Sequence, residues 1–364
     1  MTLAELCKFL DSTVPLSFQE SYDNAGLQLG NPSMELTGAL LTIDVTEEVI
    51  SEAGNAGCNL IISHHPVIFG GIKKLAGRDY TERLVAKAIK DDIAIYSSHT
   101  NLDAAEFGVS RKMAEKIGLT RVKPLVPLKG RLLKLVTFIP EAYLDRVRDA
   151  IFEAGAGVIG NYDRCGFTLP GTGSFRPGEN TTPFSGEKGR LHFENEVRFE
   201  TILYSHLRVS VIRALLDAHP YEEVAYDLYP LENDNIPAGM GCIGELPSAT
   251  AGKEFIRSAA AAFGAGGLRY TGLTDRQIRK VALCGGAGSS MIRDAVSAGA
   301  DAFVTGDIKY HSFFDADGKL LLLDIGHYES EKFTTEILYD LIIKKFPKFA
   351  LRFSETNTNP INYL

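Results

Sequence analysis

Short apolar runs alternate with polar turns along the chain, and they fall into a plan that repeats. Residues 39–43 read as a strand ending at Asp44, and Thr46 can cap a helix with Glu47 and Glu48 in its first turn. Gly57 closes that helix, and a second apolar run, 59–63, leads into His64-His65-Pro66. The same order returns later: Val281-Ala282-Leu283, a Gly-rich turn, a helix from about 289 to 297, Ala298-Gly299, and a strand over 302–307. Laid over each other, Ala56-Gly57-Cys58-Asn59 matches Ala298-Gly299-Ala300-Asp301, and His65 falls on Asp307. His99 and Asp103 are four apart, as are His327 and Glu331. The pattern predicts an α/β fold of two pseudo-repeated halves that present their strand ends to one cleft, the place where open parallel sheets hold ligands.

A different segment separates the halves. It predicts a strand over 132–139, a helix over about 141–154 closed by Gly155 and Gly157, and a Gly-, Pro- and Thr-rich stretch, 170–183, that is either a long hairpin or a mobile loop. Period-two alternation over 191–200, a helix over about 207–218 and a strand over 224–229 follow. Strand, helix, strand, strand, helix, strand is the order of a ferredoxin-like unit. The expected division is therefore 1–127 and 232–364 as one domain, with 128–231 inserted as an α+β domain.

Composition narrows the classes. A chain of 364 residues exceeds what one core usually holds. With 45% hydrophobic and 23% charged residues it reads as a globular protein. A net charge of −8 leaves no basic patch, so nucleic acid is not an expected partner. The five cysteines are scattered without a CxxC spacing, which fits buried thiols in a reducing cytosol. No secretory signal and no membrane-length apolar run is visible, so the expected setting is cytoplasmic.

The chemistry lies where the apolar runs end. His64 and His65 are adjacent, and neighbours in a regular strand point to opposite faces. Either a turn imposed by Pro66 or two metals resolves that. Ser98-His99-Thr100-Asn101-Leu102-Asp103 follows the β-like stretch ending at Tyr96. After the apolar run 320–323 comes Asp324-Ile325-Gly326-His327, and a helix starting beyond Gly326 puts His327 and Glu331 on one face. Imidazole with carboxylate suits zinc, iron or manganese, and the lack of clustered thiolates argues against a zinc finger. His192, His206 and His219 read as ordinary polar groups. Cys284-Gly285-Gly286-Ala287-Gly288-Ser289-Ser290 lacks phosphate-loop spacing and reads as a tight strand-to-helix turn, while Asp23 and Asn24 fit either a supporting role or a turn. His99 and His311 are further candidates as ligands, orienting groups or proton carriers.

The motifs Asp23-Asn24-Ala25-Gly26-Leu27-Gln28-Leu29-Gly30, Ser63-His64-His65-Pro66, Ser98 to Asp103, Thr305-Gly306-Asp307-Ile308-Lys309-Tyr310-His311 and Gly326 to Glu331 resemble, in order, those of the Nif-three-like dinuclear metal family. Its members are also called GTP cyclohydrolase I type two homologues. The resemblance implies two divalent cations per subunit, ligands at His64, His65, Asp103, His327 and Glu331 with Glu331 bridging, and a ring-shaped homohexamer. The middle segment, with His219-Pro220-Tyr221-Glu222-Glu223-Val224, resembles the trimeric PII-like domain that longer members carry.

Two classes of function follow. A metal-dependent hydrolase would act on a nucleotide-like or phosphoester substrate, a small molecule still to be identified, with His99 as the catalytic proton-transfer residue. The alternative is a non-catalytic metal-binding ring: a scaffold, a metal chaperone or a ligand-sensing regulator.

Overall fold

A computed structural model describes residues 1–233, 237–272 and 274–364. The chain divides into two compact units, Met1–Pro127 with Pro237–Leu364, and Leu128–Ile236.

The first unit contains the pseudo-repeat as two sheets. In one, Ala39–Thr42, Leu60–Ser63 and Ala94–Ser97 run parallel, with Gly26–Leu29 antiparallel beside the third. In the other, Gln277–Leu283, Ala302–Thr305 and Leu321–Asp324 run parallel, with Arg269–Tyr270 antiparallel beside the third. Leu60–Ser63, Ala302–Thr305 and Leu321–Asp324 are buried on both faces, which explains their apolar runs. The repeat extends to side-chain hydrogen bonds: Asn59 Oδ1 accepts Thr37 N at 2.9 Å, and at the matching place Asp301 Oδ2 accepts Arg279 N at 3.0 Å. Helix Glu47–Asn55, capped by Thr46, forms as the sequence predicts. Its counterpart begins as a 3-10 turn, Ser289–Met291, before helix Ile292–Ser297.

The halves are one unit because each lends the other its last pieces. Strand Thr120–Pro127 pairs with Gly239–Ala251 in the second sheet, whereas Leu351–Phe353 pairs with Ala39–Thr42 in the first. Met113 and Ala114, from helix Val109–Lys116, join the core of the second sheet. Ile337, Leu338 and Ile342, from helix Thr334–Lys345, join that of the first. This exchange buries apolar surface across the repeat and turns both sets of strand ends toward one cleft.

One detail of the expected repeat is displaced. Ser63 pairs with Ser97 and Thr305 with Asp324, so Ser97 matches Asp324 and the helix caps His99 and Gly326 coincide. The His99/Asp103 spacing therefore sits one residue out of register with His327/Glu331.

The second unit is a four-stranded antiparallel sheet. Leu132–Pro140, Gly166–Phe175, His192–Tyr204 and Tyr226–Leu231 stand in the spatial order four, one, three, two, with helices Leu144–Glu153 and Arg208–Ala218 covering one face. That is a split β-α-β arrangement. Of the two readings of 170–183, the hairpin holds for its first part, since Gly166–Phe175 pairs along its length with His192–Tyr204.

Candidate metal centre

Each central strand delivers its site residues by leaving the sheet at its carboxyl end. Past Ser63 the chain bends, with both His64 N and His65 N donating to Ile43 O, at 3.2 and 3.0 Å. That turn resolves the adjacency problem, because the two rings now converge with centroids 5.0 Å apart. His99 caps the short helix Thr100–Asp103, and helix His327–Glu331 follows Gly326 as expected.

Four imidazoles and two carboxylates meet there. His64, His65 and His99 bring ligand atoms within 4.8 Å of one another, as do His65, His327 and Glu331, and His64, Asp103 and Glu331. Every one of the six predicted site residues therefore lies in this cluster. His311 does not; it is exposed, with its ring against Tyr310. His192 and His219 bond within the second unit, to Glu194 and to Phe138 O, and His206 stacks on Tyr204.

The Nδ1 atoms of all four rings face outward. His64 Nδ1 donates to Ser98 O at 2.8 Å, while His65, His99 and His327 each place Nδ1 at 2.7 Å from a carboxylate, of Asp44, Asp23 and Asp307. Such contacts fix ring orientation and present Nε2 inward, the usual support for a metal ligand. Nothing local in the sequence marks Asp44 or Asp307 for this role, because an acid after a strand looks like a turn residue. Asp307 adopts a left-handed backbone, φ 54°, to reach His327. Asp44 is itself steadied by Thr358, whose hydroxyl donates to Oδ2 at 2.8 Å. Asp23 supports the ring of His99 and accepts both groups of Thr100, whereas Asn24 ties a turn to Ile68 O.

The inward atoms are what a cation would hold. His64 Nε2 and Asp103 Oδ1 are buried and have no hydrogen-bond partner among the described residues. They lie 3.7 Å apart, and orphaned buried polar atoms are costly without a ligand. His65 Nε2 and His327 Nε2 face each other at 3.3 Å. Glu331 Oε2 is the common neighbour, 3.0 Å from both and 3.6 Å from His64 Nε2. Gly286 permits this, since a Cβ there would stand 2.1 Å from Glu331 Oε1. The donor set of imidazole nitrogen and carboxylate oxygen fits a borderline divalent cation.

Charge in the cluster follows the same geometry. Burial disfavours a charged ring, but Asp44 and Glu331 outweigh it and raise His65 to about 10, and Glu331 with Asp307 raises His327 to about 9. Burial lifts Asp103 to about 6, opposed by His64. Glu331 is held well below the ordinary carboxylate range, its burial being outweighed by the imidazoles around it. A metal must displace the ring protons, so divalent affinity should climb as pH rises from 6 toward 9. The metal-free chain should behave oppositely. Folded-state values above the ordinary 6.5 stabilise it fully below that pH, and the contribution disappears as pH passes through about 9 to 10. Calorimetric titration at several pH values and melting curves with and without metal check both trends; flat profiles would contradict them.

Residues 1–360 match the family described as Duf34/NIF3 (NGG1p interacting factor 3). A protein of Halalkalibacterium halodurans called GTP cyclohydrolase 1 type 2 homolog is 42% identical over 316 residues, covering 86% of this chain and 85% of that protein. A Bacillus subtilis protein of the same name is 38% identical, covering 99% of this chain and 98% of the other. The crystal structure of a Bacillus cereus protein related to NIF3 superposes with a TM-score of 0.88 at 37% identity, over 100% of this chain and 99% of that one.

Proposed function

The chain belongs to the Duf34/NIF3 family, and on that footing we propose that it is a dinuclear divalent-metal hydrolase acting on a nucleotide-like or phosphoester substrate. The observation that carries the reading is the pair of orphaned buried atoms, His64 Nε2 and Asp103 Oδ1, beside a carboxylate oxygen that three imidazoles share. His64, Asp103 and Glu331 would hold one cation, and His65, His327 and Glu331 the other. A bound pair of zinc, iron or manganese ions supplies Lewis-acid activation of water at neutral pH and a clamp for the attacking and leaving oxygens.

The chain's own residues do the rest. Asp44, Asp307 and the carbonyl of Ser98 keep three rings in the orientation that ligation needs. Asp23 stays ionised because His99 and Thr100 outweigh its burial and bring it to about 2. It therefore holds the Nδ1 proton of His99 and leaves Nε2 free to take and return a proton at the substrate. No thiol competes for the chemistry: burial, with Asp103 and Glu331 nearby, pushes Cys284 well above its ordinary value and keeps it protonated. The same reading takes the chain to form a ring-shaped homohexamer in the cytoplasm. Among the described residues no helix is long and apolar enough to cross a membrane.

Metal-loaded protein should turn over a member of a nucleotide and phosphoester panel, and elemental analysis should find about two ions per chain. The His99→Gln variant should keep both ions and lose turnover by about a hundredfold or more. Loss of metal in that variant would instead make His99 a ligand, and full turnover would remove it from the chemistry.

A further inference from the structure

Beside the cluster lies a cavity of about 490 Å³, within the range that holds a small organic ligand. Its lining bears on what enters. His99, Asp103, His327 and Glu331 form the metal side, and Glu20 and Asp294 add carboxylates elsewhere. Val126, Met240 and Met291 supply apolar surface, and among the described residues no lysine or arginine lines the cavity. An anionic chain extending beyond the metals would meet carboxylates and no side-chain cation to receive it. The net charge of −8 does not by itself exclude an anion, since bound cations reverse the field close to them, so the lining beyond the metals decides.

Two aromatic rings stand exposed at the same place. Tyr22 lines the cavity and is 62% exposed, and Phe69 is 53% exposed. Their centroids are 6.2 Å apart, and Phe69 lies 6.1 Å from the ring of His99. Large aromatic side chains left open beside a polar cleft provide faces on which a flat ring can stack. Glu20 and Asp294 can accept hydrogen bonds from N–H groups on such a ring.

Resting on the hydrolase reading and narrowing it to the nucleotide-like branch, away from phosphoesters, we infer that the cleft seats a planar nitrogen heterocycle that carries N–H donors and no net negative charge, stacked against Tyr22 and Phe69 beside His99. A polyphosphate tail is not part of what it recognises. A substrate of this class brings a ring amide or amidine to the metals rather than a phosphoanhydride. It places the specificity of the site in Tyr22 and Phe69.

The test measures binding apart from turnover. Guanosine, GTP and inorganic tripolyphosphate are titrated by saturation-transfer NMR into protein loaded with zinc, alongside the Tyr22→Ala, Phe69→Ala and Phe69→Tyr variants. Guanosine should bind within about threefold of GTP, tripolyphosphate should not compete, and each alanine variant should weaken guanosine about tenfold while Phe69→Tyr restores it. Tripolyphosphate competition, GTP binding more than tenfold tighter than guanosine, alanine variants without effect, or no guanosine binding would each overturn the inference. Metal content measured on the same samples separates the two failures. Zinc retained without heterocycle binding sinks the substrate class alone, whereas zinc never retained sinks the metal centre on which it rests.

Discussion

The Glu331→Gln variant should lose divalent metal by at least about a hundredfold in affinity, more than the 10 to 100-fold that removing a merely supporting partner costs. Glutamine keeps the volume and removes the charge. The oxygen concerned is the one that His65 and His327 approach at 3.0 Å and His64 at 3.6 Å, so no neighbour can replace it for both proposed ions. The metal-free protein should suffer as well. Glu331 is 3% exposed, and its charge opposes the burial that disfavours protonated His64, His65 and His327. Deleting one member of a buried charge cluster leaves the others uncompensated, at a cost of about 3 to 5 kcal/mol. Elemental analysis after exhaustive dialysis and denaturant unfolding of the metal-free forms check the two effects. A variant that still held about two ions would place Glu331 outside the centre, and the shared-oxygen argument would fail with it.

The parts of this site that were legible in the sequence are those that obey local rules. His327 and Glu331 are four apart after a glycine, and a helix must then align them. Three apolar runs ending in histidine or acid mark strand ends, and burial on both faces makes those runs continuous. What was not legible depends on pairing between distant segments. Asp44 finds His65, and Asp307 finds His327, only because parallel neighbours end level: Thr42 pairs with Ser63, and Thr305 with Asp324. Thr358 meets Asp44 from more than three hundred residues away, and nothing local to Thr358 points there. The exchange of strands and helices between halves was hidden for the same reason. A repeat in sequence predicts two similar sheets, but which half receives Thr120–Pro127 or Leu351–Phe353 is decided by packing. The same applies to the one-residue offset between Asp103 and Glu331, which strand register reveals and spacing alone conceals.

Gly286 shows how closely the Gly-rich turn is tied to the centre, and its replacement should affect both stability and metal. Its φ of +60° already disfavours any side chain, at about 1 to 2 kcal/mol. The added Cβ of Gly286→Ala would also stand 2.1 Å from Glu331 Oε1 and 3.3 Å from His327 Cε1. The turn has little room to retreat, because Gly286 N donates to Ser330 Oγ at 2.8 Å while Gly286 O accepts Gly306 N at 2.8 Å and Thr305 Oγ1 at 3.0 Å. Overpacking of this kind costs a further 1 to 3 kcal/mol or so, and the most direct relief is displacement of Glu331 itself. Gly57→Ala separates strain from displacement. Gly57 has a similar φ, +71°, yet a Cβ there meets nothing within 4 Å. Both variants should melt earlier than the parent, but only Gly286→Ala should also lose divalent affinity, by about tenfold or more, since a ligand moved by about an ångström no longer fits its site. Equal metal content in the two variants would mean that the turn does not position Glu331, and that the close approach is an incidental packing contact.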